Sequence, residues 1–154
     1  MRSRWSVALA LALAGVVIGG CGSSKKSSHT NTSAMASAEA QIKHNWVEFF
    51  NPSTSTSTRI ALLQNGSKFA PVIAAQSKSS LAKQSAATVS AVKLSGPSSA
   101  TVTYTVTLAG QPVPGLKNTT GMAIKSGSTW QVSDASFCRL LKLEGSAPPA
   151  CPKA

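Results

Sequence analysis

Apolar residues recur at helical spacing in the region that begins near residue 38. The positions that share this spacing are Ile42, Trp46, Phe49 and Phe50. They stand at i, i+4, i+7 and i+8, which places them in one stripe along a helix over about residues 38–50. Asn51-Pro52 ends this helix, because the residue before a proline disfavours helical backbone angles. The pattern therefore predicts an amphipathic helix with one face against a core.

Two further helical segments are predicted after the first. One begins at Ser57 or Thr58, where either hydroxyl can cap it, and ends at Asn65-Gly66, a pair that tolerates left-handed backbone. The other covers about residues 69–86, with Pro71 suited to its first turn. The first half of the domain is thus predicted to be helical.

The hydrophobic period changes to two after residue 86, which is typical of strands. The predicted strands cover residues 88–94, 100–108, 118–125 and 129–135, and the last two form a hairpin around Ser126-Gly127-Ser128. The residues expected to point inward from this hairpin are Met122, Ile124, Trp130 and Val132. Helices followed by a four-stranded meander predict an α+β fold, with N-terminal helices packed on an antiparallel sheet.

The N-terminus differs from the rest in having a long apolar run between charged and polar flanks. Arg2 and Arg4 precede the apolar residues 7–18, and Ile18-Gly19-Gly20-Cys21 resembles a lipobox. The uncharged run of about fifteen residues is shorter than the roughly 20 that a transmembrane helix needs. An ordinary secretory signal would favour an A-x-A cleavage site. We therefore expect a lipoprotein signal peptide, and acylation of Cys21 with palmitate-type chains.

This interpretation divides the chain into three parts. Residues 1–20 are the leader, residues 21–37 are a disordered tether rich in serine and threonine, and residues 38–154 are one α+β domain. The expected location is the outer face of the bacterial cytoplasmic membrane, with some release to the cell surface or the medium.

Basic residues outnumber acidic ones, 15 to 4, and the formal net charge is +11. Such a balance favours contact with anionic lipid head groups or acidic envelope polymers. The lysines are spread singly along the chain, without aromatic interleaving or a DNA-binding motif, so nucleic acid is not expected as a partner. The expected partners are the membrane, through the lipid anchor, and an unidentified envelope protein, polymer or lipid, while the oligomeric state is left open.

The number of cysteines is odd, which bears on the same interpretation. If Cys21 is linked to lipid, Cys138 and Cys151 remain as a pair in an oxidising compartment. Two free thiols or a metal site are the alternatives, although no histidine lies at ligand spacing nearby. We expect the pair to form a disulfide that fixes the C-terminus to the domain.

Several segments resemble the mycobacterial low-molecular-weight secreted antigen family and its C-terminal domain. They are residues 45–50, 62–66, 69–73 and 127–133, together with Phe137-Cys138. The resemblance covers about residues 38–142 and implies an exported actinobacterial protein. It also implies an NTF2-like or cystatin-like fold, in which a bent antiparallel sheet wraps around a helix. The family supplies no catalytic positions.

Residues suited to catalysis are few. His44 and Glu48 stand at i and i+4 and are able to meet on one helix face, but a solvated surface pair is the alternative. Asp134 follows the last predicted strand, where a lone carboxylate usually caps a turn or pairs with a base such as Arg139. The chain contains no nucleophile elbow, phosphate-binding loop or metal-ligand cluster. We expect neither enzymatic activity nor a cofactor or metal.

The aromatic residues and one loop suggest two hypotheses about binding. The residues able to line a cleft between helix and sheet are Trp46, Phe50, Tyr104, Met122 and Trp130, although they can equally pack together as core. In the first hypothesis the domain is an interaction module that uses its basic surface or the loop at residues 109–117. In the second, it carries a small lipophilic ligand in the cleft.

Overall fold

A computed structural model describes residues 26–145 and 147–151. Three helices come first: α1 (Lys26–Phe50), α2 (Thr56–Ala61) and α3 (Gly66–Gln76). The strands are β1 (Ser85–Leu94), β2 (Ser99–Leu108), β3 (Gln111–Pro112), β4 (Thr119–Ser126) and β5 (Thr129–Val132), and α4 (Asp134–Leu143) follows them. This order confirms the predicted α+β fold. The predicted leader and Cys21 lie outside the described residues.

The strands form one curled antiparallel sheet in the order β1-β2-β4-β5, and the short β3 pairs with the end of β2. The side chains of β2 alternate as predicted, since Val102, Tyr104 and Val106 are buried while the threonines between them are partly exposed. We call the face that carries the buried residues the concave face and the opposite one the convex face. The pairing of β1 with β2 is regular except for a bulge at Ser90.

Helix α1 packs in the concave face through Ile42, Trp46 and Phe49. It begins at Lys26, twelve residues before the predicted start. The apolar stripe marks only the half that packs on the sheet, while residues 31–37 are exposed and include good helix formers such as Ala34. The division of the chain into leader, tether and domain stays a prediction.

The second and third helices differ from their predicted bounds. Ser55, rather than Ser57 or Thr58, caps α2, because its Oγ accepts a hydrogen bond from the backbone N–H of Thr58 at 3.1 Å. Helix α3 ends at Gln76, ten residues early. Serine side chains take over backbone groups in the following turn, where Ser79 Oγ accepts from the N–H of Ala82 at 3.1 Å, and hydroxyls of this kind compete with helical bonding.

The direction of the β4 side chains corrects the predicted hairpin. Gly121 and Ala123 are the buried residues of this strand, whereas Met122 is 46% exposed on the convex face. The prediction that Met122 and Ile124 point inward is therefore wrong. The cause is the ring of Trp46, which lies only 2.8 Å from where a Cβ on residue 121 would stand. The small residues of β4 therefore point into the core, and the large ones point outward. A prediction that places the large residues inward assigns the strand to the wrong face.

Helix α4 occupies residues that were predicted as the end of a strand and a C-terminal tail. Ser133 caps it, and Phe137, Cys138 and Leu141 are among its buried residues. Strand β5 pairs with residues 123–126 of β4 only. The helix lies against the rest of that strand, where the N–H of Met122 donates to Ser136 Oγ at 2.8 Å.

The two ends of the sheet differ in their connections. At the turn end are two short turns, residues 95–98 between β1 and β2 and residues 127–128 between β4 and β5. At the loop end, β1 begins, β2 finishes, and residues 109–118 lead to β4.

Candidate functional site

The five residues expected to line a cleft do not form one. The rings of Trp46 and Tyr104 pack with centroids 5.0 Å apart, and Phe50 lies 6.0 Å from Tyr104. Trp46, Tyr104 and Trp130 are at most 2% exposed. Met122 lies on the other face of the sheet. The aromatic residues thus fill the concave face as core. The lipid-carrier hypothesis required them to line an open cleft, and they do not.

A shallow groove of about 380 Å³ lies between α3 and α4. The residues that line it are Pro71, Val72, Ala75, Gln76, Leu141 and Glu144. Gln76 Nε2 donates to Glu144 Oε2 at 3.0 Å and joins the two helices across it. None of the residues predicted for the cleft contributes to this groove. The groove could not be expected from the sequence pattern, because that pattern does not predict α4.

The residues considered for acid and base chemistry have structural partners. His44 is exposed, and the half-buried Glu48 accepts a hydrogen bond from Thr54 Oγ1 at 2.5 Å. Asp134 Oδ2 accepts from Asn65 Nδ2 at 2.7 Å, and the carboxylate lies in the first turn of α4, where the helix dipole favours it. No three His, Cys, Asp or Glu side chains are grouped as metal ligands in the part of the chain that the structure describes.

Arg59 is a buried charge that the sequence analysis missed. Its side chain is 8% exposed, and Nη2 donates to the backbone carbonyl of Asn51 at 2.6 Å. Burial lowers the pKa of Arg59, and the nearby Glu48 carboxylate opposes that shift. Nε has no hydrogen-bond partner and is closed off from solvent. Arg59 therefore fixes the connection between α1 and α2.

The charged groups of the surface are arranged in an unusual way. Three carboxylates accept hydrogen bonds from neutral side chains: Glu48 from Thr54, Asp134 from Asn65 and Glu144 from Gln76. Among the described residues no lysine or arginine forms an ion pair with a carboxylate. Apart from longer-range attractions such as that of Glu48 for Arg59, the charge of the surface lysines is therefore largely available to an anionic partner.

The loop at residues 109–118 is both exposed and fixed. Its left-handed residues are Ala109, Gly110, Gly115 and Asn118, with φ between 50° and 79°. Val113 and Leu116 pack against the core from the inner side of the loop. The N–H of Val113 donates to the carbonyl of Val106 at 2.9 Å, and the N–H of Val106 donates to the carbonyl of Leu116 at 3.0 Å. These contacts give the predicted interaction loop a defined shape.

The predicted disulfide between Cys138 and Cys151 is present. The two Cα atoms are 5.6 Å apart, and both residues are buried. The bond holds the end of the described chain against α4. Lipidation of Cys21, the remaining cysteine, stays a prediction.

No helix within residues 26–145 and 147–151 is long and apolar enough to cross a membrane.

A family model described as the low molecular weight antigen MTB12, C-terminal domain, matches residues 34–148. A search of curated proteins gave no significant match. The matched region begins in the exposed half of α1 and includes all the strands and α4. A match to a family of secreted antigens indicates an extracellular or envelope location and a non-enzymatic protein. Because this match covers well over half of the chain and agrees with the resemblance noted in the sequence, the chain belongs to the MTB12 low molecular weight antigen family.

Proposed function

We propose that this protein is a non-catalytic envelope lipoprotein, anchored through Cys21 at the outer face of the cytoplasmic membrane, whose domain is an interaction module. The loop at residues 109–118 is the proposed contact surface for an envelope partner. The observation that carries this proposal is the combination of exposure and rigidity in that loop.

Backbone strain supports a functional role for the loop. Ala109 has a φ of 50°, a conformation that costs a residue with a Cβ about 1–2 kcal/mol and that Ala does not repay with a side-chain hydrogen bond. Strained residues of this kind concentrate at binding sites, where the surrounding structure holds them. A loop that is already fixed loses little conformational entropy when it binds. The exposed residues Gln111, Pro112, Pro114 and Lys117 are thus presented in a ready conformation.

The absence of catalysis is proposed from the use of the acidic groups. Glu48, Asp134 and Glu144 each accept a hydrogen bond from a neutral side chain in another segment of the fold. General acid–base chemistry needs groups that converge on one reacting atom, and these carboxylates instead have three separate sets of neighbours.

Site-specific crosslinking in the native cell tests the interaction loop. A photoreactive residue in place of Gln111 should give a discrete adduct, because the side chain is exposed on the loop. The matched control is the same residue in place of Thr88, which is exposed on the convex face of β1. Equal adducts at both positions, or none at Gln111, would contradict the proposal.

Mass spectrometry of the mature protein tests the anchor separately. We expect an N-terminal Cys21 that carries a diacylglycerol thioether and lacks residues 1–20. A Cys21→Ala variant should retain the leader or be released unmodified. Detection of an unmodified Cys21, or of Met1, in the membrane-associated protein would overturn the lipoprotein assignment.

A further inference from the structure

The direction of α1 gives the domain a defined polarity relative to its N-terminus. The end of the helix lies at the loop end of the sheet, since Ser85 Oγ at the start of β1 donates to the carbonyl of Phe50 at 3.5 Å. Five residues earlier, Asn45 Nδ2 donates to the carbonyl of Trp130 at 2.8 Å. Trp130 pairs with Lys125 at the turn end. The helix therefore runs from the turn end to the loop end.

The chain consequently enters the domain from the side of the turn end. Helix α1 begins at Lys26, only five positions after Cys21. From Lys26 to Ala38, which packs partly against the core, the helix extends about 18 Å at a rise of 1.5 Å per residue. The described chain thus begins beyond the turn end, and the loop end is on the far side of the sheet from it.

The turn end carries two lysines. Lys93 is paired with Thr101 next to the first turn, and Lys125 stands beside the second. Both are exposed, and Lys125 Nζ lies 5.9 Å above the ring centroid of Trp130, which holds it near this end. The turns themselves consist of serine, glycine and proline. On the entering helix, the charges of Glu39 and Lys43 offset each other, since they are one turn apart.

We propose that the turn end is the membrane-facing surface of this domain, where Lys93 and Lys125 contact anionic lipid head groups. The loop at residues 109–118 is then directed away from the membrane, toward a partner. This inference rests on the proposed anchor at Cys21. Charge complementarity and the entry point of the chain both support it. Because the attraction of lysines to an anionic surface falls off within about one Debye length, some 8–10 Å, the exposed half of α1, about 18 Å long, lies along the membrane in this orientation rather than standing upright on it.

Lysine footprinting on a defined membrane tests this orientation. The chain from Cys21 onward is coupled through its thiol to maleimide-bearing lipid, a selective reaction because Cys138 and Cys151 are bonded to each other. The vesicles contain phosphatidylcholine with or without phosphatidylglycerol. Acetylation of each lysine is then followed by mass spectrometry. We expect Lys93 and Lys125 to react several-fold more slowly on the anionic vesicles, with Lys83 and Lys117 unchanged.

A pair of matched variants tests the energetic side. Lys93→Gln/Lys125→Gln and Lys83→Gln/Lys117→Gln each remove two positive charges, the first pair at the turn end and the second at the loop end. At about a tenfold loss for every 1.4 kcal/mol, and about 1 kcal/mol for each lysine, the first variant should bind phosphatidylglycerol vesicles about 30-fold more weakly. The second variant should bind like the parent.

Equal losses in the two variants, or protection of Lys83 and Lys117 in the footprint, would overturn the orientation. The footprint needs no substitution, so it remains decisive if a variant folds poorly. The chemical tether also separates the two proposals. An unmodified Cys21 in the cell would refute the natural anchor without changing the footprint, whereas a reversed footprint would refute the orientation without bearing on lipidation.

Discussion

The two faces of the sheet are built from the same strands but differ in almost every physical respect. On β2, the concave side chains Val102, Tyr104 and Val106 are at most 7% exposed, while the threonines that alternate with them remain partly in solvent. The concave face receives α1 and the aromatic core. The convex face of β2 carries the hydroxyl and methyl groups of its threonines. Because successive side chains of a strand point to opposite faces, the same strand supplies apolar residues to the core and polar residues to the solvent.

Threonine suits the second role. Its branched Cβ favours the extended backbone, and its hydroxyl remains compatible with water. Thr105 pairs with Thr88 on one neighbouring strand, and Thr103 pairs with Thr120 on the other, so these side chains support each other across the face. The convex face therefore contributes through the strands themselves rather than through packing with another layer.

The largest expected difference between the faces comes from removing one large side chain from each. Trp46→Ala empties the centre of the concave face and should lower the free energy of unfolding by about 3–5 kcal/mol. Met122→Ala on the convex face should change it by less than about 0.5 kcal/mol. Urea unfolding followed by circular dichroism measures both. Similar losses in the two variants would show that the convex face is packed in solution.

Removal of the disulfide tests how much the bond between α4 and the end of the described chain adds to the stability of the concave side. Cys138→Ala/Cys151→Ala should reduce the free energy of unfolding by about 3 kcal/mol, because the bond closes a loop of 13 residues in the unfolded chain. The comparison is made in a Cys21→Ser background, so that no free thiol remains to form dimers. Unchanged stability would mean that packing alone holds the chain's end against α4.

A single methyl group should distinguish the faces within one strand. Gly121→Ala places a Cβ 2.8 Å from the Trp46 ring, and overpacking of this kind costs about 1–3 kcal/mol. Thr120→Ala, the adjacent convex position, should cost about 0.5 kcal/mol or less. Thermal unfolding of the two variants gives the comparison. A neutral Gly121→Ala would indicate that the indole ring is able to shift.

The smallest effect concerns the titration of Tyr104 in the concave face. Burial raises the pKa of this phenol above its ordinary 10.0, and the positive charge of Arg139 opposes the shift. At a pH between the ordinary pKa of 10.0 and the higher pKa of the folded protein, the folded protein keeps the phenol proton that the unfolded chain has lost. The free energy of unfolding should therefore fall as the pH rises above about 10.

Absorbance at alkaline pH reads this group alone, because Tyr104 is the only tyrosine in the chain. The phenolate signal of the folded protein should appear at higher pH than that of the urea-unfolded protein. Tyr104→Phe should abolish both the signal and its share of the pH dependence. Coincident titrations of folded and unfolded protein would contradict the burial of the hydroxyl.

Much of the fold could be predicted because periodicity reports packing directly. The stripe on α1 and the alternation on β2 both identified residues that are buried in the structure. The exposed half of α1 was not predicted, since a helix that contacts no core has no stripe. Helix α4 was missed although Phe137, Cys138, Leu140 and Leu141 have helical spacing, because the hairpin pattern was extended to residue 135.

The candidate site was harder to predict than the fold. The prediction of a cleft assumed that large residues on β4 point inward. The inward position is instead Gly121, because the ring of Trp46, which is distant in sequence, leaves no room for a side chain there. The shape of the loop depends on left-handed backbone conformations at Ala109 and Asn118. Asparagine tolerates this conformation, but alanine rarely adopts it, so the sequence does not indicate it at Ala109. Both features arise from tertiary contacts, which are not encoded in any local pattern.

The bulge at Ser90 has a consequence for how molecules of this protein meet one another. Strand β1 forms an edge of the sheet, and ten residues of regular edge would offer a template for pairing with a second chain. The extra residue breaks the repeat of backbone donors and acceptors midway, and Lys93 adds a charge near the strand's end. The exposed edge is thereby made a poor substrate for growth into fibrils, even where many copies are crowded together.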